Sequence, residues 1–141
     1  MIAETKRLKI IQHLIATAEA IESIKSVGYG SFEVLRKARP ALGILPDDEI
    51  TERYPDDIYS ERAGFACRLA VDEAGDHAGL ELERIIGDLH AALMADPTRG
   101  GLADDTWKVG IASLFTDQNY PRAGADFKII VQYQTNEKDA T

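Results

Sequence analysis

Two segments late in the chain alternate apolar and polar residues strictly enough to narrow the folds open to it. In the first, Trp107, Val109, Ile111, Ser113 and Phe115 share one face, and Lys108, Gly110, Ala112 and Leu114 share the other. In the second, Phe127, Ile129, Val131 and Tyr133 alternate with Lys128, Ile130, Gln132 and Gln134. A repeat of two is the side-chain period of a strand, so both segments read as half-buried strands. Between them, residues 116–124 hold Asp, Asn, Pro and Gly, the residues that turns use. So short a link cannot carry a parallel crossover, and the pair is expected to be antiparallel.

The earlier chain supplies what packs on such a pair. Residues 4–24 place Leu8, Ile11, Leu14, Ile15, Ala18 and Ile21 at steps of three and four, the pattern of an amphipathic helix. Gly28-Tyr29-Gly30-Ser31 interrupts it, and residues 32–39 read as a short strand ending at Pro40. Residues 41–61 are the least regular, with Pro46, Pro55 and many carboxylates, and read as a polar insertion or assembly arm pinned by Ile44-Leu45-Pro46 and Ile50. Residues 62–73 alternate again, with Phe65, Cys67, Leu69 and Val71 on one side. After a turn at Gly75-Asp76, residues 79–94 bring Leu82, Ile85, Ile86, Leu89 and Leu93 to one helical face, and Pro97 with Gly100-Gly101 stop the helix. Helices and strands come in runs instead of alternating, which predicts an α+β domain with a mainly antiparallel or mixed sheet and two helices on one face.

Composition bounds the partners. The 141 residues suit a single domain, here 1–141, and 45% apolar with 28% charged residues is ordinary for a globular chain. A net charge of −8 repels phosphate backbones, so no direct nucleic-acid readout is expected. No apolar run approaches the roughly 20 residues that span a bilayer, so no membrane partner is expected, and the charged start does not read as a signal peptide. The single cysteine, Cys67, alternates with core residues and reads as a reduced, buried thiol of a cytoplasmic protein.

The search for chemistry finds little. His13, His77 and His90 lack the paired helical spacings of metal sites and read as exposed helix residues. Gly100-Gly101 follow a helix and precede a strand, without a Walker lysine or GxGxxG, so they read as a helix stop and not as a phosphate cradle. No catalytic residue and no cofactor-binding residue stands out, and no cofactor is expected. Asp47, Asp48, Asp56, Asp57, Asp104 and Asp105 are candidates for a structural cation or for contact with a neighbouring subunit's Lys or Arg. Basic residues cluster early, at Lys6, Arg7 and Lys9 and at Arg36, Lys37 and Arg39, ahead of the acidic stretch. Such segregation suits a head-to-tail contact between identical copies.

A helix ending at Ala95-Asp96-Pro97, then Gly100-Gly101-Leu102, an amphipathic strand, and a last strand closing on Val131-Gln132-Tyr133-Gln134-Thr135 resembles the tail-terminator proteins of long-tailed bacteriophages and prophages, the minor tail protein U-like family. The resemblance implies an α+β fold and a non-enzymatic virion structural protein. Such a protein forms a ring, typically a homo-hexamer, that caps the head-proximal end of the tail tube. Its implied partners are further copies of itself, the major tail-tube protein and the head-completion or connector protein. Its implied place is the virion tail, assembled in the host cytoplasm. Residues 41–61, 96–106 and 116–124 are the expected assembly loops. Three alternatives stay open: a head–tail joining or tail-completion protein, a small adaptor domain, and a hydrolase using carboxylates of 47–61 with His77 or His90.

Overall fold

The computed structural model describes residues 5–55, 58–72, 75–117 and 122–136, with backbone alone at 75–76, 109–117, 122 and 136. The two-residue alternation becomes the sheet. Helix α1 (Lys6–Glu19) leads into β1 (Ser26–Tyr29), a 3-10 turn η1 (Glu33–Arg36), β2 (Ala41–Tyr54), β3 (Ile58–Val71), α2 (Gly75–Ala95), β4 (Asp105–Asp117) and β5 (Arg122–Asn136). The five strands lie in the order β1-β2-β3-β5-β4. Only β1 and β2 run parallel; the other three pairs are antiparallel, so the sheet is mixed as expected.

One face of the sheet carries the core. Leu42 and Ile44 of β2, Phe65, Cys67 and Leu69 of β3, and Phe127, Ile129, Val131 and Tyr133 of β5 are all buried. They form one cluster with Ile10 and Leu14 of α1 and Leu82, Ile85, Leu89 and Leu93 of α2, so both helices cover the same face. The Thr5 hydroxyl accepts the Leu8 N–H at 3.1 Å and starts α1. The sequence places the end of α1 near residue 24, but the helix stops at Glu19. Two further turns, Ile21 N–H to the Ala18 carbonyl and Ile24 N–H to the Ile21 carbonyl, keep Ile21 and Ile24 buried, which is why the apolar spacing runs on.

Three expectations are corrected. Residues 32–39 are not a strand; the strand lies just before them at Ser26–Tyr29, and η1 follows. The physical reason is the parallel pairing of β1 with β2, from Ser26↔Ala41 to Tyr29↔Ile44, which requires a crossover between them. Val34 packs on Gly28 closely enough that a Cβ there would lie 2.8 Å from the Val34 Cβ. Residues 41–61 are not an irregular insertion: Ala41–Tyr54 and Ile58–Val71 are two long strands paired from Ala41↔Ala70 to Tyr54↔Ile58. A bulge between Pro46 and Glu49 hides this in the sequence. Before it, even-numbered Leu42 and Ile44 oppose Leu69 and Cys67 on the helix side of β3; after it, odd-numbered Glu49, Thr51 and Arg53 oppose Ala63, Glu61 and Tyr59, which continue that same side. One extra residue inverts the alternation. Residues 116–124 are largely strand as well, because β4 runs to Asp117 and β5 starts at Arg122; residues 118–121 lie outside the described residues.

Candidate functional site

Among the described residues, the face of the sheet away from α1 and α2 is covered by η1 and Phe32 over β1 and β2 and is otherwise open, and it has two parts. Near β1 a groove of about 320 Å³ is lined by Phe32, Asp47, Ala66, Arg68, Asp126 and Lys128. Strand register puts these groups together, since Gly43, Arg68 and Asp126 are consecutive partners across β2, β3 and β5, as are Leu45, Ala66 and Lys128. Arg68 holds Asp126 with two hydrogen bonds, at 2.6 and 2.9 Å, and lies over the Phe32 ring at 5.2 Å. This two-pronged bond raises the Arg68 pKa from its ordinary value. Lys128 lies 3.1 Å from Asp47 and 3.5 Å from Asp48, and the hydrogen bond to Asp47, first among its causes, raises the Lys128 pKa. Gly43 and Gly64 let the walls lean in: a Cβ would lie 2.5 Å from the Phe32 ring at the first, and 2.7 Å from the Lys128 side chain at the second.

Beyond the bulge the same two strands leave the helices behind. Glu49 to Tyr54 and Ile58 to Arg62 form an arm whose helix-side face is polar, while Ile50, Tyr54 and Ile58 lie on the open face and are 54%, 48% and 38% exposed. Ile130 and Trp107, partners of each other two rows further in, are partly exposed on that same face. The base of the arm is tied to α1, where Arg7 bonds Glu49 at 2.7 Å and the Lys6 ammonium donates to the Gln134 carbonyl at 2.7 Å. Burial, and then bonding to Glu61, pushes the Tyr133 phenol up from its usual pKa at this junction.

Most residues singled out from the sequence fall elsewhere. Asp47 and Asp48 meet Lys128 at the groove, whereas Asp104 and Asp105 lie at the start of β4 on the far side of the sheet, the Asp105 carboxylate accepting the Thr106 N–H. Asp56 and Asp57 lie outside the described residues. Among the described residues no group of three or more His, Cys, Asp and Glu is placed to hold a metal ion. Cys67 faces the core, and burial pushes its thiol up to about 12. His77 and His90 are exposed on α2, while His13 is half-buried and stands 3.8 Å from Asp96. A second cleft of about 430 Å³, lined by Ile21, Glu22, Ser23, Arg84 and Asp88, spends its polar groups on itself: Ser23 donates to Asp88 at 3.2 Å.

The loop after α2 behaves as a helix stop held by a residue the sequence did not single out. Arg99, fully buried, donates to the Leu93 carbonyl at 2.7 Å, to the Asp96 carbonyl, and to the Thr17 hydroxyl at 3.1 Å. It thereby caps the C-terminal carbonyls of α2 and ties them to α1. Burial lowers the Arg99 pKa, with Asp96 opposing. Asp96 accepts from the Thr98 hydroxyl at 2.7 Å and the Gly100 N–H at 2.8 Å, which hold its carboxyl below the usual range. Gly100 and Gly101 take φ of 72° and 86°, the left-handed region that glycine tolerates.

Sequence reasoning also missed the open-face residues Phe32, Arg68, Tyr54 and Ile58. The available signal was the apolar pair Tyr54 and Ile58 on either side of Pro55-Asp56-Asp57 in an otherwise charged stretch.

No family model matches this chain, and no curated protein matches it in sequence. Among solved structures, a chain described as "Virion of native gene transfer agent (GTA) particle" aligns over 89% of this chain and 92% of its own length, at 11% identity and a TM-score of 0.47.

Proposed function

We propose that this chain is a structural protein of a phage-type tail. It assembles as a ring, a hexamer by its resemblance to tail terminators, on the head-proximal end of the tail tube. There it ends tube polymerisation and presents its other face to the head-completion protein. The observation that carries this reading is the division of the β2–β3 hairpin into a half that builds the core and a half that projects with Ile50, Tyr54 and Ile58 exposed. An assembly subunit needs a rigid body together with recognition surface that its own core has not consumed, and exposed apolar surface of this kind suits protein contact. The resemblance at residues 95–102 and 131–135 supports the tail as the setting. In this role the chain binds and does not catalyse, and it needs no cofactor.

The test has two steps. Light scattering across concentration, with and without millimolar magnesium, is expected to find a species near six times the 15.5 kDa of the chain. Incubation with purified tail tubes is expected to block their further growth. A ring that leaves tubes growing and instead binds the head connector would replace this reading with head–tail joining. A twofold dimer inert towards tubes would leave an adaptor.

A further inference from the structure

We propose that Asp47, Asp48 and Glu49, gripped by Lys128 and Arg7, form a lock that sets the register of the outer half of β2 and so decides which face of the arm carries Ile50 and Tyr54. Register is well specified where one face of a strand is buried, because a slip of one residue carries core side chains into water. The outer half of β2 has no such guide, since every described β2 residue from Pro46 onward is exposed. Hairpins close with loops of about two to five residues, so the tip does not forbid a shift by one. The competing arrangement is the ladder without its bulge. It runs on from Pro46↔Phe65 and sets Thr51 opposite Ser60, where the observed pairing sets Glu52. Ile50 and Tyr54 then move to the helix side, and Thr51 and Arg53 take their place on the open face.

Contacts on both sides of the sheet hold the bulge. Consecutive side chains of a regular strand point to opposite faces. Lys128 nonetheless meets both Asp47, at 3.1 Å, and Asp48, at 3.5 Å, which the extra residue makes possible. The bulge leans over Gly64, where a Cβ would lie 2.9 Å from the Asp48 carbonyl oxygen. On the helix side Arg7 bonds Glu49 at 2.7 Å, and the Tyr133 hydroxyl donates to the same carboxylate at 3.5 Å. Further out, the Arg53 guanidinium lies over the Tyr59 ring at 5.9 Å. The slipped ladder keeps Asp47 on the face of Lys128 and sets Glu49 opposite Arg62, so it has attractions of its own. It gives up Asp48 on Lys128, Glu49 on Arg7 and Tyr133, and Arg53 on Tyr59. Exposed ion pairs are individually weak, and it is their number on one side of this balance that fixes the arm.

Arg7→Met with Asp48→Asn removes two contacts that only the observed register makes; circular dichroism and thermal melting establish that the core is kept. Two cysteine pairs read the register. Glu52→Cys with Ser60→Cys places thiols directly opposite on one face in the observed register, and Thr51→Cys with Ser60→Cys places them on opposite faces. The buried Cys67 does not compete. With oxidised glutathione, the 52–60 pair is expected to close readily in the otherwise wild-type chain and the 51–60 pair to stay reduced. Without the lock, the 51–60 pair is expected to close at least about tenfold faster and the 52–60 pair more slowly. Asp48→Asn alone shifts both rates in the same directions by less. Deleting Asp48 from the unlocked chain takes out the extra residue, so that a continuous ladder again sets residue 52 opposite residue 60, and fast closure of that pair is expected to return. A 51–60 pair that stays reduced without the lock, one that closes as fast with it, or a loss of 52–60 closure that the deletion leaves uncorrected each overturns the proposal. All of these rates are read within single chains, so failure of the lock leaves the tail reading untouched, and tubes that go uncapped leave the lock untouched.

Discussion

The inner and outer halves of the β2–β3 hairpin are one continuous antiparallel pair, and they differ in nearly everything else. Inside, Leu42, Ile44, Phe65, Cys67 and Leu69 lie under the helices, essentially without solvent contact. Outside, every described β2 residue from Pro46 onward is exposed. Backbone pairing is equally complete in both, so hydrogen bonding does not decide where the core ends. Helix coverage does. The first turn of α1 reaches the bulge through Arg7 and Glu49, and the β2 residues past that point are exposed. Hydrophobic burial is the dominant favourable term in folding, so the inner half holds stability and the outer half is released for contact with other molecules.

That contrast can be broken from the inside first. Phe65 is fully buried, edge-on to Tyr29 at 6.4 Å between ring centres. Phe65→Ala is expected to cost about 3–5 kcal/mol, read as a lower midpoint in urea unfolding. Arg99→Met comes next. It leaves the Leu93 carbonyl at the end of α2 without its guanidinium donor, while the Asp96 carbonyl keeps the backbone N–H of residue 99, at a cost of about 1–3 kcal/mol in the same measurement. A smaller effect of that size or below at Phe65 would mean the core does not extend as drawn.

A pH series sharpens the middle of the scale. The folded pKa of Asp96 is depressed, chiefly by the Thr98 hydroxyl and then by the Gly100 N–H. Its contribution is therefore present above the ordinary value of 3.8 and lost as pH falls through the lower folded value. Asp96→Asn is expected to flatten the acid limb of the stability profile below that value and to leave its slope near neutrality unchanged. A wild-type acid limb in the variant would show that Asp96 is not the group titrating there.

The smallest change in stability is expected in the arm. Ile50→Ser or Ile58→Ser should move the unfolding free energy by no more than about 0.5 kcal/mol, as for surface positions generally, while weakening self-association. If either destabilises the isolated chain as Phe65→Ala does, the outer half belongs to the core and the comparison fails.

Much of the core was legible because its period survives intact. The inward set of β5 and the alternation at Phe65, Cys67, Leu69 and Val71 match burial in the structure, as does the apolar face of α2. The arm was not legible, because the bulge after Pro46 reverses which parity faces the helices and because both faces beyond it are wet. The open-face groove was illegible for a different reason. Phe32, Ala66, Arg68 and Lys128 come from three parts of the chain, and only strand register sets them side by side. Arg99 had no signal at all, since a charged residue between Pro97 and two glycines reads as surface until its hydrogen bonds are seen.

By itself, then, the sequence determined the class of the fold, two helices on one face of a mostly antiparallel sheet, because local periodicity is a property of neighbouring residues. The tertiary structure alone decided that β2 and β3 continue past their core as an arm, that Arg99 closes α2 from within, and that a groove opens opposite the helices. These depend on one inserted residue and on register between distant strands, and neither leaves a repeating trace along the chain.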